Sequence, residues 1–243
     1  MASRMNSSIP DDIGLSIASL LEVPEVCSLG SCSKFWYDLC SSDPLWLQLT
    51  LKRWPHLNLD VNAPPPLFQG WKRFYISKHK KLARCASVVI KFVEDCTQNE
   101  SLEVGNYLKA INDLRSIELG FKDVQMFLLA RKHNVVLNLI GLHYCVYFLG
   151  ISPHDMMEAL RKCQVFERQV CVNWFKLGRW FYGFRLPDEH RIRRVALGDL
   201  AVSKGEEVLC VLNRGAVHEV LRVQITSVKP APSQSSRILA YVG

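Results

Sequence analysis

Hydrophobic positions in the first fifty residues recur at the spacing of short helices. Ile13, Ile17, Leu20 and Leu21 follow the spacing of one helical face. Pro10 suits the first position of such a helix, because its missing N–H costs nothing there. Similar apolar groups continue as far as Leu51, so the segment predicts a bundle of four short helices.

Start signals divide this segment into its helices. Pro24 restarts the chain for a second helix, and Ser31 or Ser33 can cap a third. Asp43 is the predicted cap of a fourth helix with Pro44 at its first position, and we expect this helix to end at Arg53. A bundle this small buries little of its own surface, so we expect part of its apolar surface to be covered by another protein.

Helical periodicity continues through most of the remaining chain. The patterns predict a long helix over 71–96, a helix starting near Ser101, a buried helix over 135–149 and a helix capped by Ser152. The fold class is therefore mostly α: an N-terminal helical bundle, a larger helical domain and a small C-terminal β element. The Pro64-Pro65-Pro66 run places the domain boundary between residues 1–55 and 67–243.

The last third of the chain has a different pattern. Val170, Trp174 and Phe181 recur at helical spacing and predict a core helix, and Ile192 to Val202 predicts another. Strands are expected from Glu207 to Leu212, Val217 to Thr226 and Arg237 to Val242, with Asn213 to Gly215 as a turn.

The nine cysteines bear on cell compartment. An odd number without any Cys-x-x-Cys pair argues against disulfide scaffolds and zinc ribbons. They lie among apolar residues, as free thiols do in a reducing compartment, so we expect the protein in the cytoplasm, the nucleus or both. The most apolar run, 135–149, is shorter than the roughly 20 residues of a membrane span, and no apolar leader precedes Pro10.

Charge is distributed unevenly along the chain. The net charge is +7, of which residues 1–50 carry −4 (two basic against six acidic residues), leaving +11 for the remainder. One face of the long helix is basic, and an aromatic segment over 174–185 is interleaved with basic residues. These features could bind nucleic acid, an acidic partner or a peptide. A solvated helix face and a packed aromatic core are the favoured interpretations, which disfavours nucleic acid as a partner.

Sequence motifs of catalysis or cofactor binding are missing. The chain has no phosphate-binding Gly-rich loop, no Gly-x-Ser-x-Gly and no His-Glu-x-x-His. His143 and Cys145 are two residues apart and, on a helix, point to different faces. The sequence therefore predicts a non-enzymatic protein without metal or cofactor.

The N-terminal motifs, taken in order, resemble the F-box family. Ile9-Pro10-Asp11-Asp12-Ile13 matches the opening Leu-Pro-x-x-Leu of that family, Cys32-Ser33-Lys34-x-Trp36 matches its Val-Ser-Lys-x-Trp, and Asp43-Pro44-Leu45-Trp46 matches its Asp-Pro-x-Trp. Ile9 in place of leucine is a mild departure. Gly14 stands where the family has an aliphatic residue, which should weaken the helix by about 1 kcal/mol.

The resemblance implies a non-catalytic subunit of a Skp–cullin–F-box ubiquitin ligase. The box would dock on a Skp-type adaptor, and the remaining chain would recruit a protein substrate. A scaffold or inhibitor that docks without delivering substrate, and a basic helical nucleic-acid-binding protein, are the alternatives. The docking residues that the resemblance implies are Ile9, Pro10, Ile13, Ile17, Leu21, Leu29, Ser33, Lys34, Trp36, Leu45 and Trp46.

Overall fold

The computed structural model describes residues 9–57, 70–98, 101–202, 207–216 and 220–228. The chain divides into two compact units, Met1–Arg84 and Cys85–Gly243, with the division inside a long helix. The domain limits predicted from the sequence, 1–55 and 67–243, stay a prediction. Pro64 to Pro66 and Arg237 to Val242 lie outside the described residues.

The first unit is built from the predicted short helices. They are α1 (Asp11–Leu20), α2 (Val23–Gly30), α3 (Lys34–Cys40) and α4 (Asp43–Arg53), followed by a 3₁₀ turn over Pro55–Leu57 and the start of α5 (Gly70–Cys96). Pro10 occupies the cap position, one residue before the predicted one. Ser33 rather than Ser31 caps α3, because its hydroxyl accepts a hydrogen bond from the backbone N–H of Trp36 at 3.3 Å.

Aromatic side chains form the core of the first unit. Trp46 and Trp54 of the α4 region pack against Tyr75 of α5, with ring centroids 5.3 Å and 5.0 Å from the Tyr75 ring. Arg53 is buried here, and its guanidinium donates to the Tyr75 hydroxyl at 2.7 Å. A buried cation needs such partners, so α4 and α5 are joined by polar as well as apolar contacts.

The second unit combines helices with an antiparallel sheet, which confirms the mostly α fold with a C-terminal β element. Its further helices are α6 (Val104–Ile117), α7 (Phe121–Phe127), α8 (Val135–Tyr147), α9 (Pro153–Lys162), α10 (Leu197–Val202) and α11 (Glu207–Arg214). Helix α8 is apolar on all sides, and it is buried among α6, α7, α9 and the sheet. As predicted, Ser152 caps α9: its hydroxyl accepts from the Asp155 N–H at 3.1 Å.

Among the described residues, the main sheet contains β1 (Ser101–Glu103), β2 (Gln169–Lys176), β5 (Glu189–Ala196) and β6 (Val220–Ser227). Their order in the sheet is β1-β6-β2-β5, and each is antiparallel to its neighbours. Two further strands, β3 (Trp180–Phe181) and β4 (Phe184–Arg185), pair in the connection between β2 and β5. β5 lies at one edge of the main sheet.

Several predictions for the last third of the chain assign the wrong type of secondary structure. The helix expected from Val170 to Phe181 is strand β2 followed by the β3–β4 hairpin, because Val170, Val172 and Trp174 alternate toward the core. The strand expected from Glu207 is helix α11, and Asn213 to Gly215 ends that helix instead of forming a hairpin turn.

Two predicted boundaries are also wrong. Ser101 begins strand β1 and not a helix, and the helix expected from Ile192 starts only at Leu197. Both errors have one cause: short apolar runs satisfy the helical and the extended period equally, and pairing with β2 or β6 selects the extended form. The strand expected over 217–226 is confirmed as β6 within the described residues.

Candidate partner-docking surface

Helix α1 directs its small residues inward and its large aliphatic residues outward. Gly14 and Ala18 are the buried residues of this helix, whereas Ile13 and Ile17 are exposed and Leu20 is 80% exposed. A surface helix of a globular protein normally buries its large apolar residues. We call the exposed residues Ile9, Ile13, Ile17 and Leu20 the α1 face.

Close packing explains why the small residues face inward. A Cβ atom added to Gly14 would lie 2.6 Å from Cδ1 of Leu39 on α3 and 3.4 Å from the Phe35 ring. The glycine that departs from the family pattern therefore lets α1 approach α3, which compensates part of its poor helix propensity. This approach turns the aliphatic residues of α1 toward solvent.

An open cavity of about 340 Å³ lies where α1 and α3 meet. Leu15, Phe35 and Leu39 contribute its apolar walls, and the carboxylates of Asp11 and Asp38 lie at its lining. Asp11 and Asp12, in the first turn of α1, add negative charge beside the α1 face. This geometry suits an apolar side chain with a basic group next to it.

The structure brings only part of the predicted docking set to the surface. Ile9, Pro10, Ile13, Ile17, Ser33 and Lys34 are exposed, and Leu21, Leu29 and Trp36 are half-buried. Leu45 is buried, and Trp46 is 2% exposed, with its indole N–H donating to the Cys40 carbonyl at 2.8 Å. Leu45 and Trp46 therefore belong to the core of the first unit, and they do not contribute to its exposed surface.

Sequence reasoning misses two exposed apolar residues of this region. The predicted docking set leaves out Leu20, although it shares a helical face with Ile13 and Ile17, and it leaves out Tyr37, on the exposed side of α3. Periodicity identifies which residues share a face, but it does not tell which face is covered. The inward pair of Gly14 and Ala18 is the available signal, because small residues mark a close helix approach.

The basic face predicted on α5 is partly engaged within the first unit. The Lys72 ammonium lies 5.6 Å from the Trp46 ring and donates to the Ser41 hydroxyl at 3.3 Å. The Lys78 ammonium lies 4.9 Å from the Trp54 ring. These lysines cover the aromatic core with cation–π contacts, and Arg73, Lys80 and Lys81 lie on the same helix.

Potential catalytic and metal groups are held in structural roles. Burial raises the pKa of the Cys145 thiol and lowers the pKa of His143 to about 4, so both are neutral. Among the described residues, the one group with metal-ligand proximity is His154, Asp155 and Glu158. All three are exposed, and Asp155 is engaged with Ser152 at the start of α9, where the hydroxyl donates to its carboxylate at 2.7 Å.

Within the described residues, no helix combines the length and the apolar character that crossing a bilayer requires.

Comparison with known proteins identifies the N-terminal region. Residues 6–52 match the family model described as F-box-like, a span that takes in the α1 face and nearly all of helices α1 to α4. No curated protein and no solved structure matches the chain. The match leaves residues 53–243 without an assigned family.

Proposed function

The chain belongs to the F-box proteins through residues 6–52, and from this premise we propose that it docks on a Skp-type adaptor and recruits a protein substrate to a cullin ubiquitin ligase. F-box domains are in general non-catalytic modules that bind Skp-type proteins. The transfer chemistry then belongs to other subunits. The contribution of this chain is to hold the substrate at high local concentration, which needs no cofactor.

The observation that carries the proposal is the α1 face. Exposed aliphatic residues concentrated on one helix are unusual for a free surface, and they mark protein interaction sites. Covering one such side chain contributes on the order of 1.5–3 kcal/mol when it goes from fully exposed to buried. The acidic first turn of α1 adds a charge signature that selects a partner with basic groups.

The proposal gives Leu45 and Trp46 a different role from the exposed residues. Both lie in the core of the first unit, where Trp46 contacts Tyr75 and the Cys40 carbonyl. Their support for docking would be indirect, by holding α4 in place. Ile9, Ile13 and Ile17 are the members of the predicted set that offer apolar surface directly.

The docking assignment is tested with Ile13→Glu. A carboxylate at the centre of the α1 face would lose apolar contact and be buried without a partner, so adaptor binding should weaken at least tenfold, about 1.4 kcal/mol or more. Titration calorimetry with a purified Skp-type adaptor measures the dissociation constant. Val88→Glu is the matched control, because it places the same charge at an exposed aliphatic position of another helix.

Trp46→Ala separates docking from folding. Cutting a buried tryptophan to alanine typically costs about 3–5 kcal/mol of stability, which can unfold a small unit, so the loss should appear first in thermal denaturation. Ile13→Glu should instead melt like the unmodified protein. If Ile13→Glu binds the adaptor with unchanged affinity, the α1 face is not the docking surface.

Substrate delivery needs its own measurement. Copurification of the cullin would show that the docked chain enters a ligase. Delivery would be shown by a bound protein whose turnover stops in the Ile13→Glu variant. Cullin association without turnover would support the scaffold or inhibitor instead. The free cysteines accord with a reducing compartment, so we place this activity in the cytoplasm, the nucleus or both.

A further inference from the structure

The connection between β2 and β5 presents aromatic side chains to solvent. Trp180 is 74% exposed, Tyr182 88% and Phe184 78%, and Phe181 beside them is exposed as well. We call residues 178–188 the aromatic ribbon. Large aromatic residues exposed together are rare on free protein surfaces, and tryptophan and tyrosine dominate the energetics of protein interfaces.

The turn of the aromatic ribbon holds an aromatic residue in an unfavourable backbone conformation. Tyr182 has φ +46° and Gly183 has φ +83°, and Phe181 pairs with Phe184 across them, which is the geometry of a two-residue type I′ turn. Asparagine or glycine is the usual first residue of such a turn, because a bulky side chain is disfavoured at positive φ. An exposed tyrosine at this position contributes little to packing, which points to a role outside the fold.

The two ends of the aromatic ribbon, residues 178–179 and 185–188, pack closely against each other. A Cβ atom added to Gly178 would lie 1.7 Å from the Leu186 carbonyl oxygen, so only glycine fits there. The Asp188 carboxylate accepts from the Gly178 N–H at 2.9 Å and from the Arg185 guanidinium at 2.8 Å. The Leu186 N–H donates to the Arg179 carbonyl at 2.8 Å. These contacts fix the direction in which the aromatic side chains are presented.

The aromatic ribbon leads into strand β5, the outer strand of the described sheet, whose outer backbone N–H and C=O groups can bind another strand. β5 pairs with β2 on one side, and no described residue pairs its backbone with the other side. Arg194 and Ile192 are exposed on the solvent face of β5, and Phe175 stacks on His190 across β2 and β5, with ring centroids 4.2 Å apart. An extended peptide can add to such an edge as a further strand.

The net charge of the aromatic ribbon and β5 indicates which kind of peptide would bind there. Between Phe175 and Ala196 the chain carries six Lys and Arg residues and two acidic residues, which gives +4. Both acidic residues already have basic partners in the structure: Asp188 contacts Arg185, and Glu189 contacts Arg191. Glu207 of α11 also contacts Arg191 and Arg193, which lowers the excess to +3. Arg194 lies on the opposite face of β5 from those two arginines, so positive charge remains there for an acidic ligand.

We propose that the aromatic ribbon and the outer edge of β5 bind an acidic, extended peptide segment of a partner protein. Main-chain hydrogen bonds to β5 give the peptide its direction, and Arg194 pairs with its carboxylates. Phe181 and Phe184, which lie opposite each other on one face of the β3–β4 hairpin, cover its apolar side chains. The inference rests on the proposed function in one respect: it makes this peptide the substrate segment that the ligase recognises.

Edge protection and nucleic-acid binding would each account for part of these features. Charged side chains often protect an edge strand from aggregation, which would explain Arg193 and Arg194 but not the exposed aromatic residues. Bases of single-stranded nucleic acid stack on aromatic side chains beside basic groups. The outer edge of β5, which no described residue pairs with, can extend the sheet with a peptide strand but not with a nucleic acid, and this edge favours a peptide.

Fluorescence polarisation with the full-length chain tests the proposal. The probe is a fluorescein-labelled dodecapeptide of alternating glutamate and valine. A second version carries N-methyl groups on its six central residues, which removes amide donors while retaining every charge. Phe181→Ser with Phe184→Ser, and separately Arg194→Glu, should each weaken probe binding at least tenfold, and the N-methylated probe should bind at least tenfold more weakly than the plain probe. Val88→Ser is the control at an exposed site elsewhere.

The outcomes of this experiment distinguish a peptide from edge protection and from nucleic acid. Equal affinity for the plain and N-methylated probes, no binding of the plain probe, or tighter binding of a twelve-residue oligouridylate would each overturn the proposal. The Phe181, Phe184 and Arg194 variants should bind the Skp-type adaptor normally, and Ile13→Glu should bind the probe normally. Failure of adaptor docking with intact probe binding would therefore count against the proposed function alone.

Discussion

At the scale of single residues, burial decides the chemistry of a histidine that lies in the core. His143 on α8 is buried, its Nδ1 lies 2.8 Å from the Tyr107 hydroxyl and its ring lies 4.7 Å from the Tyr147 ring. Removal from water disfavours the imidazolium and lowers the pKa to about 4, partly opposed by the Asn213 side chain. Tyr107 and Cys145 have raised pKa values for the same reason, so this cluster stays neutral.

The depressed pKa of His143 predicts a loss of stability in mild acid. In the unfolded chain the imidazole takes up its proton near pH 6.5, whereas the folded chain resists protonation until about pH 4. The contribution of neutral His143 is complete above pH 6.5 and is lost as the pH falls toward 4. At pH 5 the free energy of unfolding should be about 2 kcal/mol lower than at pH 8 from this group.

Urea unfolding at pH 8 and pH 5 measures the effect. His143→Gln cannot titrate, so the difference between the two pH values should shrink by about 2 kcal/mol. His154→Gln makes the same substitution at an exposed histidine and is the matched control. An equal pH dependence in the His143 variant and the unmodified chain would show that His143 is not the group responsible.

At the scale of elements, one carboxylate connects two helices of the first unit. The sequence predicts that Asp43 caps its own helix, α4, but its Oδ1 accepts a hydrogen bond from the Trp71 N–H at 2.8 Å, in the first turn of α5. Gly70 precedes that residue with φ +70°, and a Cβ atom there would lie 3.0 Å from Oδ1 of Asp43. The motif aspartate thus satisfies an N–H group at the start of the long helix.

Substitution of Asp43 should weaken the attachment of α5. Asp43→Ala leaves the Trp71 N–H without its acceptor, and the expected loss is about 1–2 kcal/mol in the free energy of unfolding. Asp43→Asn keeps an acceptor oxygen and should lose less than half of that. Urea denaturation followed by tryptophan fluorescence reports on the change, because Trp46, Trp54 and Trp71 lie in this core. Equal stability of the alanine variant and the unmodified chain would remove Asp43 from this role.

Strand β2 shows why the type of an element is harder to predict than its place. Val170 and Trp174 are four residues apart, a step that occurs on one face of a helix and also on one face of a strand. Val172 between them is buried too, which only the extended form allows. The register with β5 and β6 settles the assignment, and that register depends on residues tens of positions away.

At the scale of the whole molecule, the cysteines give a test of compartment. All nine lie among the described residues and none is in a disulfide there, and Cys27 and Cys32 are exposed. Protein alkylated at the moment of lysis should therefore migrate identically on a denaturing gel with and without reductant. Protein left to oxidise in air is the positive control for a shift. A shift in the freshly alkylated sample would contradict the assignment to a reducing compartment.

Local signals in the sequence determined the N-terminal helices, the long helix α5, the buried helix α8 and the family of the box. Prolines, caps and apolar periodicity act within a few residues of each other, so no distant contact can easily reverse them. The F-box motifs are local signals of this kind, and residues 6–52 match the F-box-like family model that they indicate.

Only the tertiary structure decided which residues are available to partners. Helical spacing places Ile13, Ile17, Leu20 and Leu21 on one face without showing what covers it, and the approach of Gly14 to Leu39 leaves Ile13 and Ile17 exposed. Trp46 lies against Tyr75 of α5, and Trp180 and Phe184 reach solvent because the β3–β4 hairpin lies outside the main sheet. Exposure depends on the sum of contacts from distant segments, and a periodic pattern contains no information about them.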